Sequence, residues 1–540
     1  MKKQIKRLSV AQVQRHFDKM KSERQMWHTH WQEIADFFLT NKNTITNMKS
    51  EGQKRNWQLL DNTGSISLET LAAALNGFLT NPNEQWFEMS FGDPAIDKID
   101  QNRGYLQTVT TLMHAVLKLS NFTTAMQEFY PDLVGFGTGT VFVDEDETTI
   151  VSFIPQFIRD YYIDEGRDGR INTVYRDLKM PAHDMVMQFG EENLPKKVMD
   201  AYKKGETTKF NVIHAVYPEY LCSAVKKKTY KWVSQYILID EKLELSYGEY
   251  MEFPYGSTRW SKAVGEKYGR SPAMTALPEM KVLNKMNETM LIGAQKMVDP
   301  PIQLPDDGFV LPIITTSGGI NYYRAGSNDR IETMFNTPQL DFGYQAMEDR
   351  RKRVREAFFI DQLRLPQGGP MMTATEVAQR KQEGMLFLGP MFGRIEPEFL
   401  RTVLQRVYNI MARKGLIPPA PEQATGRALE VKFIGLIAKS HETMKGQSIA
   451  QLLANVAPFM QMKPQTIDNF NVDSIVRILA SAYNVPQDAL FNLDQVIEMR
   501  NAQAAAQQKQ AQMQQQQMQE TQTVDNALTT AKAVSIAQGI

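Results

Sequence analysis

The stretch from Ser271 to Pro301, SPAMTALPEMKVLNKMNETMLIGAQKMVDPP, reads as one long helix with recognisable ends. Pro278 is expected in its first turn, where a proline is tolerated, and the run Asp299-Pro300-Pro301 ends it. A second helical stretch, DFGYQAMEDRRKRVREAFFIDQL, covers residues 341–363. The segment between the two is rich in prolines and glycines. The sequence therefore predicts two helices joined by an irregular connection. One face of the first carries Leu283, Met286, Met290, Ala294 and Met297.

The second helix holds an unusual concentration of positive charge. The whole chain is neutral, with 61 Lys and Arg against 61 Asp and Glu, yet the run RRKRVR contains five basic residues in six positions. Successive helical residues turn by about 100°, so these side chains surround the helix and cannot enter an apolar core unpaired. Two interpretations stay open: a solvated helix with intrahelical ion pairs, or a segment that faces a polyanion or bridges subunits. The basic cluster is Arg350, Arg351, Lys352, Arg353 and Arg355, and nearby carboxylates are Glu348, Asp349 and Glu356.

Composition limits the class of protein. A chain of 540 residues is long enough for two or more domains, and its 42% apolar and 23% charged residues are ordinary for a globular protein. The single cysteine, Cys222, excludes an intrachain disulfide. No apolar run has the length of a signal peptide or a membrane span. We therefore expect a protein that is made and used in a cytoplasm, without a membrane partner.

The remaining elements predict a mixed α+β fold. Three-four spacing of apolar residues indicates a helix over residues 8–39, broken only at Arg24. Further helices are expected at residues 67–82, with Ser67 or Thr70 as the cap, and at residues 105–120. Residues 140–255 are β-branched and aromatic between turns, which predicts an antiparallel sheet region.

The C-terminal third changes from a loop to helices and then to low complexity. RLPQGGPMM, residues 364–372, predicts an exposed irregular loop. Thr373 and Glu376 form a capping box for a helix that is expected to reach residues 414–415, with kinks at its two internal prolines. A late strand is expected at residues 429–438, a small helical unit over 440–500, and a glutamine-rich tail after that, either helical or disordered.

The motifs that could indicate an enzyme lack the sequence context that their chemistry requires. GFGTGT, residues 135–140, precedes a strand, whereas a phosphate-binding glycine loop must open a helix, so we interpret its glycines as sites of close backbone approach. The acidic run at residues 144–147 fits a solvated turn better than a cation site. His28 and His30 point to different faces of one helix. The sequence therefore predicts no enzyme, no metal site and no cofactor.

Four stretches carry a resemblance to a known family. They are LETLAAALNGFLTNPNEQWFEMSF, GFGTGTVFVDED, YGRSPAMTALPEMKVLNKM continuing to AQKMVDPP, and TATEVAQR after the glycine-proline loop. In this order, and together with chain length and the glutamine-rich tail, the chain resembles the portal (head-to-tail connector) proteins of short-tailed, T7-like bacteriophages. The resemblance spans most of the chain up to about residue 440.

The resemblance implies a portal fold that assembles as a ring of about twelve subunits at one capsid vertex of the virion. Double-stranded DNA, bound without sequence preference, would pass through the ring during packaging and ejection. The implied partners are the terminase large subunit, the major capsid and scaffolding proteins, the tail adaptor or tube protein and the internal core proteins, with assembly in the host cytoplasm. The implied parts are the wing (1–276), first stem helix (277–298), clip (299–340), second stem helix (341–362), tunnel loop (363–372), long kinked wing helix with a return strand (373–439), crown (440–500) and C-terminal tail or barrel (501–540).

The same resemblance gives the basic cluster a role. We expect it to face the tunnel, where unpaired positive charges would hold the DNA phosphates too tightly for sliding. Some of its charges are therefore expected to pair with Glu348, Asp349 or Glu356 of a neighbouring subunit, which leaves an attraction that is independent of sequence. The tunnel loop is expected to touch DNA sterically through uncharged residues. Two other classes stay open: a structural virion protein without a channel, and an enzyme that remodels nucleic acid. The predicted tunnel-loop residues are Gln367, Gly368, Gly369, Met371 and Met372.

Overall fold

The computed structural model divides into two compact units. The first comprises residues 1–89, 108–419 and 429–437, and the second comprises residues 90–107, 420–428 and 438–540. The structure describes residues 6–50, 52–55, 59–97, 99–222, 231–303, 312–314, 318–322, 332–333, 340–363, 389–421, 429–434, 436–482, 485, 490–491, 495–510, 512–513 and 528–529.

Helix α1 (Val10–Phe37) begins at a capping box and packs on a five-stranded antiparallel sheet. The Ser9 hydroxyl accepts a hydrogen bond from the Gln12 backbone amide, and the Gln12 side chain accepts one from the Ser9 amide. Its apolar stripe meets aromatic and β-branched side chains of the sheet, which confirms the predicted amphipathic helix. In sheet order, the strands are β4 (Tyr161–Glu165), β5 (Ile171–Pro181), β6 (Lys209–Pro218), β7 (Trp232–Leu238) and β8 (Leu243–Tyr250).

Arg24, where the predicted stripe of α1 breaks, is fully buried rather than exposed. Its guanidinium donates to the backbone carbonyls of Ile158, Arg159 and Tyr161 and lies 3.6 Å from the ring centroid of Tyr162. The charge is thus compensated by carbonyl oxygens and an aromatic face. Arg24, the residue that interrupts the apolar stripe, therefore links α1 to the sheet through these hydrogen bonds.

Two short helices, α6 (Ala182–Phe189) and α7 (Lys196–Lys203), cover the other face of the five-stranded sheet. They follow Pro181 and Pro195, whose fixed φ suits the residue that precedes a helix. The predicted antiparallel sheet region over residues 140–255 is confirmed in its strands, but the sequence did not predict these two helices within it. Helices of two turns leave little periodic signal beside long β-rich segments.

A second sheet of three strands lies beside helix α5 (Phe122–Phe136), in the order β3 (Val151–Gln156), β2 (Thr138–Glu145), β9 (Tyr255–Arg259). Between α5 and β2, Gly137 adopts φ 77°. A β-carbon there would lie 2.4 Å from the carbonyl oxygen of Gly269, so only glycine fits. The expected close backbone approach is thereby confirmed at Gly137, whereas the space beside Gly135 and Gly139 is filled by the side chains of Leu39 and Phe129.

Helices α8 (Pro272–Val298) and α9 (Leu340–Ala357) form an antiparallel hairpin, followed by the single turn α10 (Ile360–Leu363). Ser271 caps α8, because its hydroxyl accepts from the Met274 amide at 3.1 Å. Pro278 consequently lies inside the helix, and its expected place in the first turn was wrong. Strands β10 (Ile302–Gln303) and β11 (Glu332–Thr333) pair antiparallel between the two helices.

The two ends of this hairpin differ in burial. We call residues 272–283 with 347–357 the upper half, where Met280, Leu283, Met347 and Val354 are buried. We call residues 284–298 with 341–346 the lower half, where no side chain is buried. Helix α2 (Thr63–Leu79) packs against the upper half.

Helix α2 begins earlier than the sequence predicted. It starts at Thr63, whereas Ser67 or Thr70 was expected as the cap. Ser67 is buried, and the Thr70 hydroxyl donates to the Ile66 carbonyl within the helix. The Asp61 carboxylate instead accepts from the Thr63 amide.

A further helix runs over residues 389–413 and contains a π-helical turn at Glu396–Leu400, which includes Pro397. Its last part is α11 (Arg401–Arg413), and Gly415 follows with φ 71°. The expected end near residue 415 and a distortion at Pro397 are confirmed. The expected late strand is shorter than predicted, because β12 ends at Phe433 and a helix begins at Leu436. The first unit also holds β1 (Phe87–Ser90), which pairs with β12 (Glu430–Phe433).

The second unit is helical where it is described. It carries most of α12 (Leu436–Met462), then α13 (Val472–Ala482), and helical residues 495–510. The start of the glutamine-rich tail is thus helical. The helices not yet mentioned are α3 (Pro94–Asp97) and α4 (Asp100–Leu119), which follow β1 in the sequence. Among the described residues, no helix combines the length and the apolarity that crossing a bilayer requires.

Candidate functional site

The basic cluster occupies the last two turns of α9. Met347, Val354 and Phe358 are buried at spacings of seven and four residues and fix α9 against the body of the first unit. The ring of Phe358 lies 5.6 Å from that of Phe38 at the end of α1. Arg351, four residues after Met347, shares this face and reaches the buried Asp61, whereas the other basic side chains leave the helix in other directions.

Four of the five basic residues form ion pairs within the chain. Arg350 and Arg353 both reach Glu279 of α8, at 2.6 Å and 3.5 Å. Arg355 pairs with Glu348 at 2.9 Å. The remaining pairs join Arg351 to Asp61 at 3.0 Å and to Glu348 at 3.4 Å.

Asp61 is the buried member of this network. Its side chain is 5% exposed and accepts hydrogen bonds from the Thr63 amide, from Asn287 at 2.9 Å and from Arg351 at 3.0 Å. Burial by itself would raise the pKa of Asp61, but these hydrogen bonds outweigh burial and lower it. The carboxylate therefore stays ionised and ties α2, α8 and α9 together.

Glu279 and Glu348 hold the remaining guanidinium groups nearer the surface. The hydrogen bond from Arg350 lowers the pKa of Glu279, and the hydrogen bond from Arg355 lowers that of Glu348. Five basic residues thus stand among the paired carboxylates Asp61, Glu279 and Glu348 and the two further carboxylates of the same helical stretch, Asp349 and Glu356, so the local charges balance. The arrangement does not form a set of base-reading contacts.

The residues that the sequence analysis selected fall into three groups in the structure: paired within the chain, without an ion pair among the described residues, and outside the described residues. Glu348 is a partner within its own chain. Asp349, Lys352 and Glu356 have no ion pair among the described residues, so their pairing across subunits stays a prediction. The predicted tunnel-loop residues, Gln367 to Met372, lie in the stretch 364–388 outside the described residues, as does the capping box at Thr373.

Sequence reasoning missed Asp61 and Glu279. Asp61 lies 290 residues before Arg351, and no local pattern connects the two. Glu279 had a detectable signal: in an antiparallel hairpin, the beginning of the first helix must lie opposite the end of the second. That geometry places a carboxylate of α8 beside the cluster.

The other candidate motifs have structural roles. Asp146 accepts from the amides of Thr148 and Thr149 and from the Thr149 hydroxyl, which makes the acidic run a hydrogen-bonded turn. Cys222 is partly buried beside the sheet. Within the part of the chain that the structure describes, no group of three His, Cys, Asp or Glu side chains is placed to hold a metal ion.

The described fold and cluster define a structural subunit: a packed α+β body that carries a charged two-helix hairpin. A model of the family described as bacteriophage head to tail connecting protein matches residues 10–490, so the chain belongs to this family. The resemblance found in the sequence is thereby confirmed. The family is structural and not enzymatic.

Named relatives agree with this family. The chain is 29% identical over 500 residues to a probable portal protein of Bordetella phage BPP-1, covering 91% of this chain and 90% of that protein. It is 26% identical over 533 residues to a portal protein of Salmonella phage epsilon15, covering 95% and 96%. Among solved structures, it matches a chain from the neck of an empty GTA particle with 11% identity and a TM-score of 0.32, over 73% of this chain and 85% of that one.

Proposed function

We propose that this chain is a portal subunit, which forms a ring of about twelve copies at one capsid vertex and conducts double-stranded DNA during packaging and ejection. The observation that carries the proposal is the family match over residues 10–490. Two relatives, one named a portal protein and one a probable portal protein, also align with this chain over nine-tenths or more of their own length. The protein is then a component of the virion. Its assembly takes place in the host cytoplasm.

In this proposal the α8–α9 hairpin is the stem. Its helices correspond to the expected stem segments 277–298 and 341–362, and the paired strands β10 and β11 fall in the expected clip, 299–340. The body with the five-stranded sheet belongs to the wing, 1–276, and the helices of the second unit supply the crown, 440–500.

A ring of stems has a suitable width. Neighbouring helices pack roughly 8–10 Å apart, so twelve around a circle give an axis-to-axis diameter of roughly 31–38 Å. Subtracting one helix thickness of about 10 Å leaves a hole of roughly 21–28 Å. A DNA duplex fits such a hole without being gripped.

The ion pairs of the basic cluster suit a conduit. Phosphates along duplex DNA attract unpaired cations strongly, and a ring with five free charges per subunit would hold DNA in place. Because four of the five basic residues are already paired within the subunit, the attraction is weak and independent of sequence. The loop residues Gln367, Gly368, Gly369, Met371 and Met372 form the steric constriction of the proposed tunnel.

The clip and wing would serve as docking surfaces. We assign the clip to the terminase large subunit during packaging and to the tail adaptor afterwards. The wing would meet the major capsid and scaffolding proteins, and the crown would meet the internal core proteins. The packaging ATPase is thus a separate protein, as expected for a non-enzymatic family.

Electron microscopy of the purified chain tests the proposal. Stalked rings with a central hole are the expected result. Compact particles without a hole would favour a virion protein that has no channel. Deleting Gln367 to Gly369 should leave the rings intact but reduce retention of packaged DNA, and normal genome filling in that variant would contradict the role of the loop.

A further inference from the structure

The lower half of the hairpin exposes apolar side chains in several directions. Leu291 is 53% exposed, Ile292 46% and Phe342 78%. Fifteen residues of α8, about 22 Å of helix, contain no buried side chain. A helix that is apolar on several faces is normally enclosed by other elements. Something outside the described chain must therefore cover this half.

One exposed stripe runs along α8 and carries three lysines, with the half-exposed Glu288 between Lys285 and Ile292. Its members, Lys281, Lys285, Ile292 and Lys296, recur at spacings of four, seven and four residues and are all exposed. The stripe points away from α9, because Met290, which contacts Gly343 of α9, lies about 140° around the helix from Lys285. We call these four residues the lysine stripe.

The opposite exposed stripe runs along α9 and carries two carboxylates and one lysine, with Arg353, which pairs with Glu279 of α8, at its edge. Its members recur at alternating spacings of three and four residues, all are exposed, and they lie on the side of α9 away from the contacts of Gly343 and Arg350 with α8. The two carboxylates have no ion pair in the part of the chain that the structure describes. We call this set the acidic stripe: Phe342, Gln345, Asp349, Lys352 and Glu356.

The two stripes match in height along the hairpin. Gly343 contacts Met290, so Phe342 is level with Leu291 and Ile292. Seven residues further along α9, Asp349 is level with the α8 turn between Lys281 and Lys285. A rotation axis parallel to the hairpin brings groups of equal height together, which would set Phe342 against Ile292 and Asp349 against Lys285. Lys352 would come level with Lys281, whose ammonium group is paired with Glu33 at 2.8 Å.

We propose that the acidic stripe of one copy docks against the lysine stripe of the next copy. The inference rests on the proposed ring and names the surfaces that close it. Because the two stripes differ and lie on separate faces of the hairpin, the contact is head-to-tail, which generates a closed ring when the rotation is complete. Complementary charge sets the register, and the apolar pair Phe342–Ile292 supplies the buried contact.

The pairs that Lys281 and Lys285 make within the chain do not compete strongly. Lys285 contacts Glu288 at 2.8 Å, but its side chain remains 73% exposed. Lys281 contacts Glu33 at 2.8 Å, and both of these side chains are 42% exposed. Exposed pairs of this kind are worth little. A carboxylate delivered by a neighbouring copy can share these ammonium groups.

Disulfide trapping tests the apolar contact. In a Cys222→Ser background, the double variant Phe342→Cys/Ile292→Cys should give a ladder of linked subunits in a denaturing gel after oxidation. The matched control is Phe342→Cys/Leu291→Cys, at the same height but about 100° around α8. Equal linking in the two variants, or none in the first, would overturn the proposal.

Charge exchange tests the polar contact. Asp349→Lys and Lys285→Asp should each raise the concentration needed for half-assembly roughly tenfold, and the double variant should recover most of the loss. If the unaltered chain forms rings and the double variant shows no recovery, the docking surfaces are wrong while the portal function stands. If the unaltered chain forms no ring at all, the proposed function itself fails.

Discussion

The upper and lower halves of the α8–α9 hairpin share one pair of helices but differ in what surrounds them. The upper half is buried against α1, α2 and α5, and a buried aspartate joins its helices to α2. The lower half has no buried side chain, and its apolar and charged side chains are exposed or partly exposed on its surface. The difference indicates that folding of the subunit stabilises the upper half, whereas assembly stabilises the lower half.

The largest expected effect comes from one substitution made in both halves. Leu283→Ala removes a fully buried side chain and should lower the free energy of unfolding of the isolated subunit by about 2–5 kcal/mol. Leu291→Ala, at a position that is 53% exposed, should change it by less than about 1 kcal/mol. Chemical denaturation of the monomer measures both. Similar losses in the two variants would remove the distinction between the halves.

The next effect concerns the aspartate that joins the upper half to α2. Asp61→Asn keeps the shape but removes the charge opposite Arg351, and should cost about 1–3 kcal/mol of subunit stability. Glu348→Gln is the matched control, since Glu348 is 57% exposed and its pairs are worth little. Thermal unfolding of both variants distinguishes them, and equal midpoints would show that Asp61 has no special role.

The sequence predicted those elements whose signal is local. The amphipathic stripe of α1, the helical character of α8 and the position of the basic cluster on a helix follow from residue spacing. The start of α2 was not predicted, because Asp61 replaces the expected hydroxyl cap. The pairing of the cluster was also not predicted, because Asp61 and Glu279 are brought to it by tertiary contacts.

Acidification should act on the five-stranded sheet before it acts on the hairpin. His214 is fully buried between the hydroxyls of Ser234 and Tyr255, and burial, followed by the charge of Arg176, lowers its pKa well below 6.5. The unfolded chain binds a proton near pH 6.5 while the folded chain does not. Stability is therefore complete above that pH and falls by about 1.4 kcal/mol per unit below it, until the folded pKa is reached.

Hydrogen exchange between pH 7.5 and 5 checks this order. Strands β6 and β7 should lose protection first, because neither α8 nor α9 contains a histidine. His214→Asn should reduce the dependence on pH, whereas His183→Asn, at an exposed position on α6, should leave it unchanged. The dependence that remains in His214→Asn is expected from His28 and His30 of α1, because burial lowers their pKa values too. Earlier loss of protection in α8 would contradict the prediction.

The smallest effect is expected where the two helices of the lower half touch. A β-carbon at Gly343 would lie 2.5 Å from the sulfur of Met290, the flexible end of a side chain that can move aside. Gly343→Ala also gains up to about 1 kcal/mol of helix propensity, so the net change should be near zero. Gly269→Ala is the contrasting variant, because its β-carbon would meet the Gly137 carbonyl oxygen of the backbone. Unfolding midpoints of the two variants should differ by several degrees.

The mass of the purified assembly tests the central claim, that copies of this chain close around a common axis through their hairpins. Native mass spectrometry should give a species of about 740 kDa, about twelve times the 61.7 kDa chain. A neighbouring ring size would still agree with the account. A single species of 61.7 kDa at every protein concentration tested would contradict it.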